Sequence, residues 1–135
     1  MENRRNRLNL NRILLIGIIL CLSLVFAGLG LCQEPPKKTP ALLSKGKQLY
    51  EQACTPCHGP KGDGNGQLAT SLKTKPGDFT RPLKQWPYSK GDLRKIFDAI
   101  TNGVPDTAMA KFRYSEEERW ALVYTVMEFG KEKGK

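Results

Sequence analysis

The hydrophobic pattern changes character along the chain. Residues 13–32 are twenty consecutive positions without a charge, preceded by Arg4, Arg5, Arg7 and Arg12 against a single acid, Glu2. As a helix this run spans about 30 Å at ~1.5 Å per residue, the hydrocarbon thickness of a bilayer. From residue 41 onward the apolar positions take a helical period instead. Leu42, Gly46, Leu49, Tyr50 and Ala53 fall on one face and predict a first helix starting near Ala41. Leu93, Ile96, Phe97 and Ile100 predict another, opened by Ser89 with Asp92 and stopped at Asn102-Gly103. Trp120, Val123, Tyr124 and Met127 line a last helix. Ser115 and Glu118 form its capping box, Glu116 and Glu117 add charge at the N-terminal dipole, and Gly130 ends it. Residues 59–88 show no period and are punctuated by glycine and proline. No strand run or internal repeat occurs. The expected fold class is all-α, with three or more short helices.

Three segments follow: a signal peptide or transmembrane anchor over 1–32, a Pro/Lys linker over 33–40, and one domain over 41–135. The uncharged run exceeds the ~7–15 apolar residues of a cleaved signal peptide, which favours a retained anchor. Cleavage after Ala27 and lipidation at Cys32 are the alternatives; a buried soluble helix is the bland one. The basic flank keeps the N-terminus cytoplasmic, so the domain is expected on the extracytoplasmic, periplasmic side in each membrane reading. The linker, QEPPKKTP, holds three prolines and two lysines and reads as a semi-rigid tether. Beyond residue 32, eighteen Lys/Arg face twelve Asp/Glu, a formal +6. That balance suits redox protein partners with an acidic docking surface, or an anionic membrane face, and the far side of a membrane holds no nucleic acid. About a third of those residues are apolar, little for a self-sufficient core, so the domain is expected to fold poorly without a large apolar cofactor.

The chemistry concentrates at Cys54-Thr55-Pro56-Cys57-His58. Two cysteines two residues apart with histidine directly after are the attachment signature of a c-type haem. On a helical turn both sulfurs reach the porphyrin edge to add across its vinyl groups, and the adjacent imidazole points at the iron. A zinc site needs further ligands, and His58 is the one histidine of the chain. A thioredoxin-like dithiol needs a βαβ context that is missing. A single histidine excludes bis-histidine ligation within the chain, leaving methionine, lysine, water or another weak donor as sixth ligand. Met127 is explained by packing on its helical stripe. Met109, in a loop after Val104-Pro105, is the candidate. The glycines of 59–77 match no phosphate-binding motif and suggest backbone wrapped closely around a haem edge.

The run Gly46-x-x-Leu49-Tyr50-x-x-x-Cys54-x-x-Cys57-His58-Gly59 resembles the opening of a small monohaem class I cytochrome c. Asn102 to Met109, followed by Ala110 and Phe112, resembles the segment carrying that family's axial methionine, although Ala110 stands where many relatives have proline. The terminal helix with Trp120 and Tyr124 is similar as well, so the resemblance covers roughly residues 41 to 130. It implies a class I cytochrome c fold wrapped around one haem c, bound covalently through Cys54 and Cys57 with His58 and Met109 as axial ligands. It further implies that a proline carbonyl, Pro76 being the nearest, accepts the His58 Nδ1 proton. Trp86 or Tyr88 is the candidate donor to a haem propionate. Lys61, Lys73, Lys75, Lys84 and Lys111 either ring an exposed haem edge or are scattered solubilising charge.

The expected function is one-electron transfer between redox complexes by a membrane-tethered carrier, not an enzyme. Alternatives are a fixed electron-transfer subunit of a membrane oxidoreductase, a haem enzyme or gas sensor with an open distal site, and, last, a dithiol oxidoreductase.

Overall fold

The computed structural model describes residues 34–130, together with Arg12 and residues 14–16. Apart from Arg12 and residues 14–16, the stretch 1–32 read as an anchor or signal sequence lies outside the described residues. Among the described residues, no helix is long and apolar enough to cross a membrane. The fold occupies the compact unit Pro35–Lys135. It is all-α, with no strand among the described residues: α1 (Pro40–Ala53), α2 (Thr55–His58), α3 (Leu93–Asn102) and α4 (Glu116–Phe129), with 3₁₀ turns at Ala69–Ser71 and Leu83–Gln85.

Local chemistry fixes the helix ends. Thr39 caps α1 by accepting from the Leu42 amide, with Pro40 in the first turn where its missing N–H is not needed. Asp92, not Ser89, caps α3, accepting from the amides of Arg94 (2.8 Å) and Lys95 (3.1 Å). Ser89 is buried and accepts from the Gly91 amide instead. The expected box at α4 is present: Glu118 N–H donates to Ser115 Oγ, and Ser115 N–H to Glu118 Oε2.

The Ser115 amide and hydroxyl hold the Glu118 carboxyl below the usual carboxylate range. A depressed folded-state pKa contributes stability above the unfolded value, about 4.3, and loses it as pH falls through the folded value. Glu118→Gln is therefore expected to melt below the unaltered holo-protein at neutral pH. The gap should narrow in thermal melts taken down to about pH 3; a constant gap contradicts this.

The core is built on α4. Every residue from Trp120 to Val126 is buried, so this helix has no solvent face over two turns, whereas the sequence suggested one apolar stripe. The reason is that several partners cover it. α1 crosses it at Gly46, where a Cβ would overlap the Ala121 carbonyl and the Thr125 hydroxyl. α3 packs on another side, with Phe97 stacked on Trp120 at 4.6 Å between ring centroids. Leu122 and Val126 line a cavity. The end of the Pro/Lys segment also lies against α4: the Tyr124 hydroxyl donates to the Pro36 carbonyl, and Lys38 pairs with Glu128. Part of the presumed tether is thus fixed to the domain. Tyr50 completes the α1–α4 contact against Phe129, 5.0 Å between centroids.

Candidate haem-binding site

α1 hands the chain directly to the attachment turn. Cys54 closes α1 by donating to the Tyr50 carbonyl (2.9 Å), and its own carbonyl accepts from Cys57 (3.2 Å) and His58 (2.8 Å). Both cysteines and the histidine therefore sit on little more than one helical turn. Gly59, at φ 77°, ends it, and a Cβ there would stand 2.6 Å from the Asp63 carboxylate. The glycine-rich segment then wraps the back of this turn. The Gly64 amide donates to the His58 carbonyl, the Gly66 amide to that of Cys57, and the Leu68 amide to that of Pro56. Of Gly59, Gly62, Gly64, Gly66 and Gly77, Gly77 alone lines the cavity. The glycines mostly satisfy the backbone of the attachment turn, rather than wrapping the cavity as expected.

In front of the turn lies a cavity of about 420 Å³, within the ~300–1,000 Å³ usual for cofactor sites. Cys54, Cys57, His58 and Met109 all line it; Met127 does not. Its walls are largely apolar, with Ile96 and Ile100 from α3 and Leu122 and Val126 from α4. His58 Nδ1 lies 3.2 Å from the Gly77 carbonyl. A carbonyl only accepts, so Nδ1 carries the proton and Nε2 keeps its lone pair. Burial lowers the His58 pKa, partly offset by that hydrogen bond, which favours the neutral imidazole that metal ligation requires. Phe79 stacks on the imidazole, 4.6 Å between centroids at 20°, and fixes the ring plane. Burial, with Cys57 adding, pushes the Cys54 thiol up to about 12. Dithiol oxidoreductases need a lowered cysteine pKa, so this is the wrong direction for that chemistry.

Two sequence expectations are corrected. The acceptor at His58 Nδ1 is the carbonyl of Gly77, not of Pro76. Pro76 lines the cavity, but its carbonyl lies against Gly64, where a Cβ would stand 2.6 Å away. Trp86 lines the cavity with its ring, yet its indole N–H donates to the Arg81 carbonyl (2.9 Å) and is committed within the protein. Trp86 is only 1% exposed and packs on Phe79, so its place is in the wall. Tyr88 also lines the cavity and is well exposed. The sequence reading missed Gly77 and Phe79, which lie in a loop where no periodicity marks them.

These donors fit a covalently held haem: two thiols on one turn, an imidazole with a fixed tautomer and a thioether, all on one apolar cavity. The protein-family model described as cytochrome c oxidase, cbb3-type, subunit III matches residues 41–124. Among curated proteins, none matched at a significant level. Among solved structures, a chain of the Kuenenia stuttgartiensis reducing HAO-like protein complex Kustc0457/Kustc0458 is similar, with TM-score 0.57 and 31% identity over 72% of this chain. The match takes in 45% of that chain, so the present protein corresponds to less than half of it. The helical fold, the attachment turn and the family match agree, and the chain belongs to the c-type cytochrome family described as cytochrome c oxidase, cbb3-type, subunit III, with a class I cytochrome c fold and an electron-transfer role.

Proposed function

We propose that the protein is a membrane-tethered one-electron carrier on the extracytoplasmic side of a cytoplasmic membrane, serving larger redox complexes of a respiratory or related chain. Cys54 and Cys57 would hold haem c through thioethers, and His58 and Met109 would ligate its iron. The observation that carries this reading is that His58 and Met109 line the same apolar cavity as both cysteines. When bound, the haem supplies a one-electron iron couple, which a thioether ligand moves toward the ferrous state. The protein's part is to orient His58 through Gly77 and Phe79, to present Met109 and to keep water off the site with Ile96, Ile100, Leu122 and Val126. The formal +6 of residues 33–135 favours partners with acidic docking faces.

A second reading, a fixed electron-transfer subunit of a membrane oxidoreductase, draws support from the similar chain of the HAO-like complex, which is itself part of an assembly.

A potentiometric titration of the exported holo-protein is expected to give one reversible one-electron wave, shifted down in Met109→Ala. A two-electron thiol couple, or no reversible reduction, contradicts the proposal. Purification from native membranes in mild detergent separates the two readings: a stoichiometric complex favours the subunit, a free protein the carrier.

A further inference from the structure

Met109 reaches the cavity from the loop between α3 and α4, with no helix to hold it. Its main chain is nonetheless tied on both sides. The Met109 carbonyl accepts from the Val104 amide (3.0 Å), and the Met109 amide donates to Thr107 Oγ1 (3.1 Å). The same Thr107 hydroxyl donates to the Val104 carbonyl (2.8 Å), which also receives the Thr107 amide (3.3 Å). One hydroxyl thus accepts from the residue carrying the thioether and donates to the residue where the loop leaves α3.

The surrounding backbone is shaped to this arrangement. Asp106 adopts a left-handed φ of 60°, which turns the chain so that Thr107 faces back toward Val104. Gly103, at φ 77°, makes room for the Met109 carbonyl: a Cβ there would stand 2.6 Å from that oxygen. On the far side Met109 is followed by Ala110, which imposes no ring constraint on the backbone. With no ring after it, Met109 is held by the Val104 amide on its carbonyl and by Thr107 on its amide, and Thr107 is the one side chain among these ties.

We infer that Thr107 is the positioning residue of Met109: its hydroxyl bridges the Met109 amide and the Val104 carbonyl, holds the thioether toward the cavity and sets how readily that face opens. This rests on the reading of Met109 as the second axial ligand. A threonine that merely stabilises an exposed turn accounts for the same hydrogen bonds, but it predicts a change in melting alone and none in access to the iron.

The test uses the full-length holo-protein and three variants. Thr107→Val keeps the branched shape and removes the hydroxyl, Thr107→Ser keeps the hydroxyl, and Met109→Ala is the reference for an open site. The readouts are the rate of CO binding to the ferrous form and the strength of the ferric sulfur-to-iron charge-transfer band. Thr107→Val is expected to bind CO faster, by roughly two- to tenfold for each hydrogen bond lost, and to show a weakened band. Thr107→Ser should behave as the unaltered protein. A Thr107→Val protein that matches the unaltered one while Met109→Ala opens the site overturns the inference, as does a Thr107→Ser protein that fails to restore the unaltered behaviour. If Met109→Ala itself changes neither readout, the axial-ligand reading falls first and takes this inference with it. Amide hydrogen exchange in the unaltered holo-protein gives a measure that needs no variant. A protected Met109 amide is required, and exchange at the rate of an open loop overturns the role of Thr107.

Discussion

A chain carrying both Cys54→Ser and Cys57→Ser is expected to leave the cell's haem-attachment pathway without covalent haem and without a cooperative thermal transition. The first part follows from the attachment turn, which places both thiols on the cavity with His58. The second follows from the cavity's size. Unfilled, its 420 Å³ leaves the apolar walls formed by Ile96, Ile100, Leu122 and Val126 against water instead of porphyrin, and a small domain has only about 5–15 kcal/mol of stability to lose. Extraction in acidified organic solvent should remove any haem from the double variant and none from the unaltered protein, with circular dichroism following the melt. Haem that resists extraction from the double variant would place the thioethers elsewhere. A sharp melt of the haem-free chain would show that the cavity is not an essential part of the core.

Gly46→Ala should destabilise the holo-protein severely, against its helical propensity. In an exposed helix interior, glycine to alanine gains up to about 1 kcal/mol. Here the added Cβ overlaps the Ala121 carbonyl and the Thr125 hydroxyl on α4, and backbone cannot rotate away as a side chain does. Overpacking in a well-filled core costs about 1–3 kcal/mol when side chains can adjust; separating α1 from α4 adds to that. One turn farther along α1 is Tyr50, which packs on Phe129 of α4 and whose buried hydroxyl donates to the Gly59 carbonyl just after the attachment turn (3.0 Å). The strain should therefore reach the haem end of the molecule. Chemical denaturation of holo-protein is expected to show a midpoint well below that of the unaltered chain. An equal or higher midpoint would mean that the helices do not meet at Gly46.

Much of this architecture was legible because it rests on local chemistry. The period of apolar residues marked α1, α3 and α4, and Ser115 with Glu118 fixed the start of α4. At α3 the same kind of signal misled by a few residues, because Ser89 was drawn into the core and Asp92 was left to cap the helix. The α4 stripe understated its burial: a sequence shows which residues are apolar, but not how many neighbours surround a helix. The attachment turn was legible because its spacing is dictated by the chemistry of two thioethers and one imidazole. Gly77 and Phe79 were not, since a backbone carbonyl leaves no mark in a sequence and a lone phenylalanine in a loop has no period. Trp86 shows the converse difficulty. An indole N–H near a cofactor site suggests a ligand contact, but the Arg81 carbonyl, five residues earlier in the same loop, claims it.

Visible spectroscopy decides whether His58 and Met109 together close the iron centre. Spectra of the exported protein would be recorded ferric, ferrous, and ferrous with CO, beside those of Met109→Ala. The expected result is a low-spin c-type spectrum that CO leaves unchanged, becoming high-spin and CO-reactive in Met109→Ala. A high-spin spectrum or prompt CO binding in the unaltered protein would contradict it and point to an enzyme or gas sensor with an open distal face.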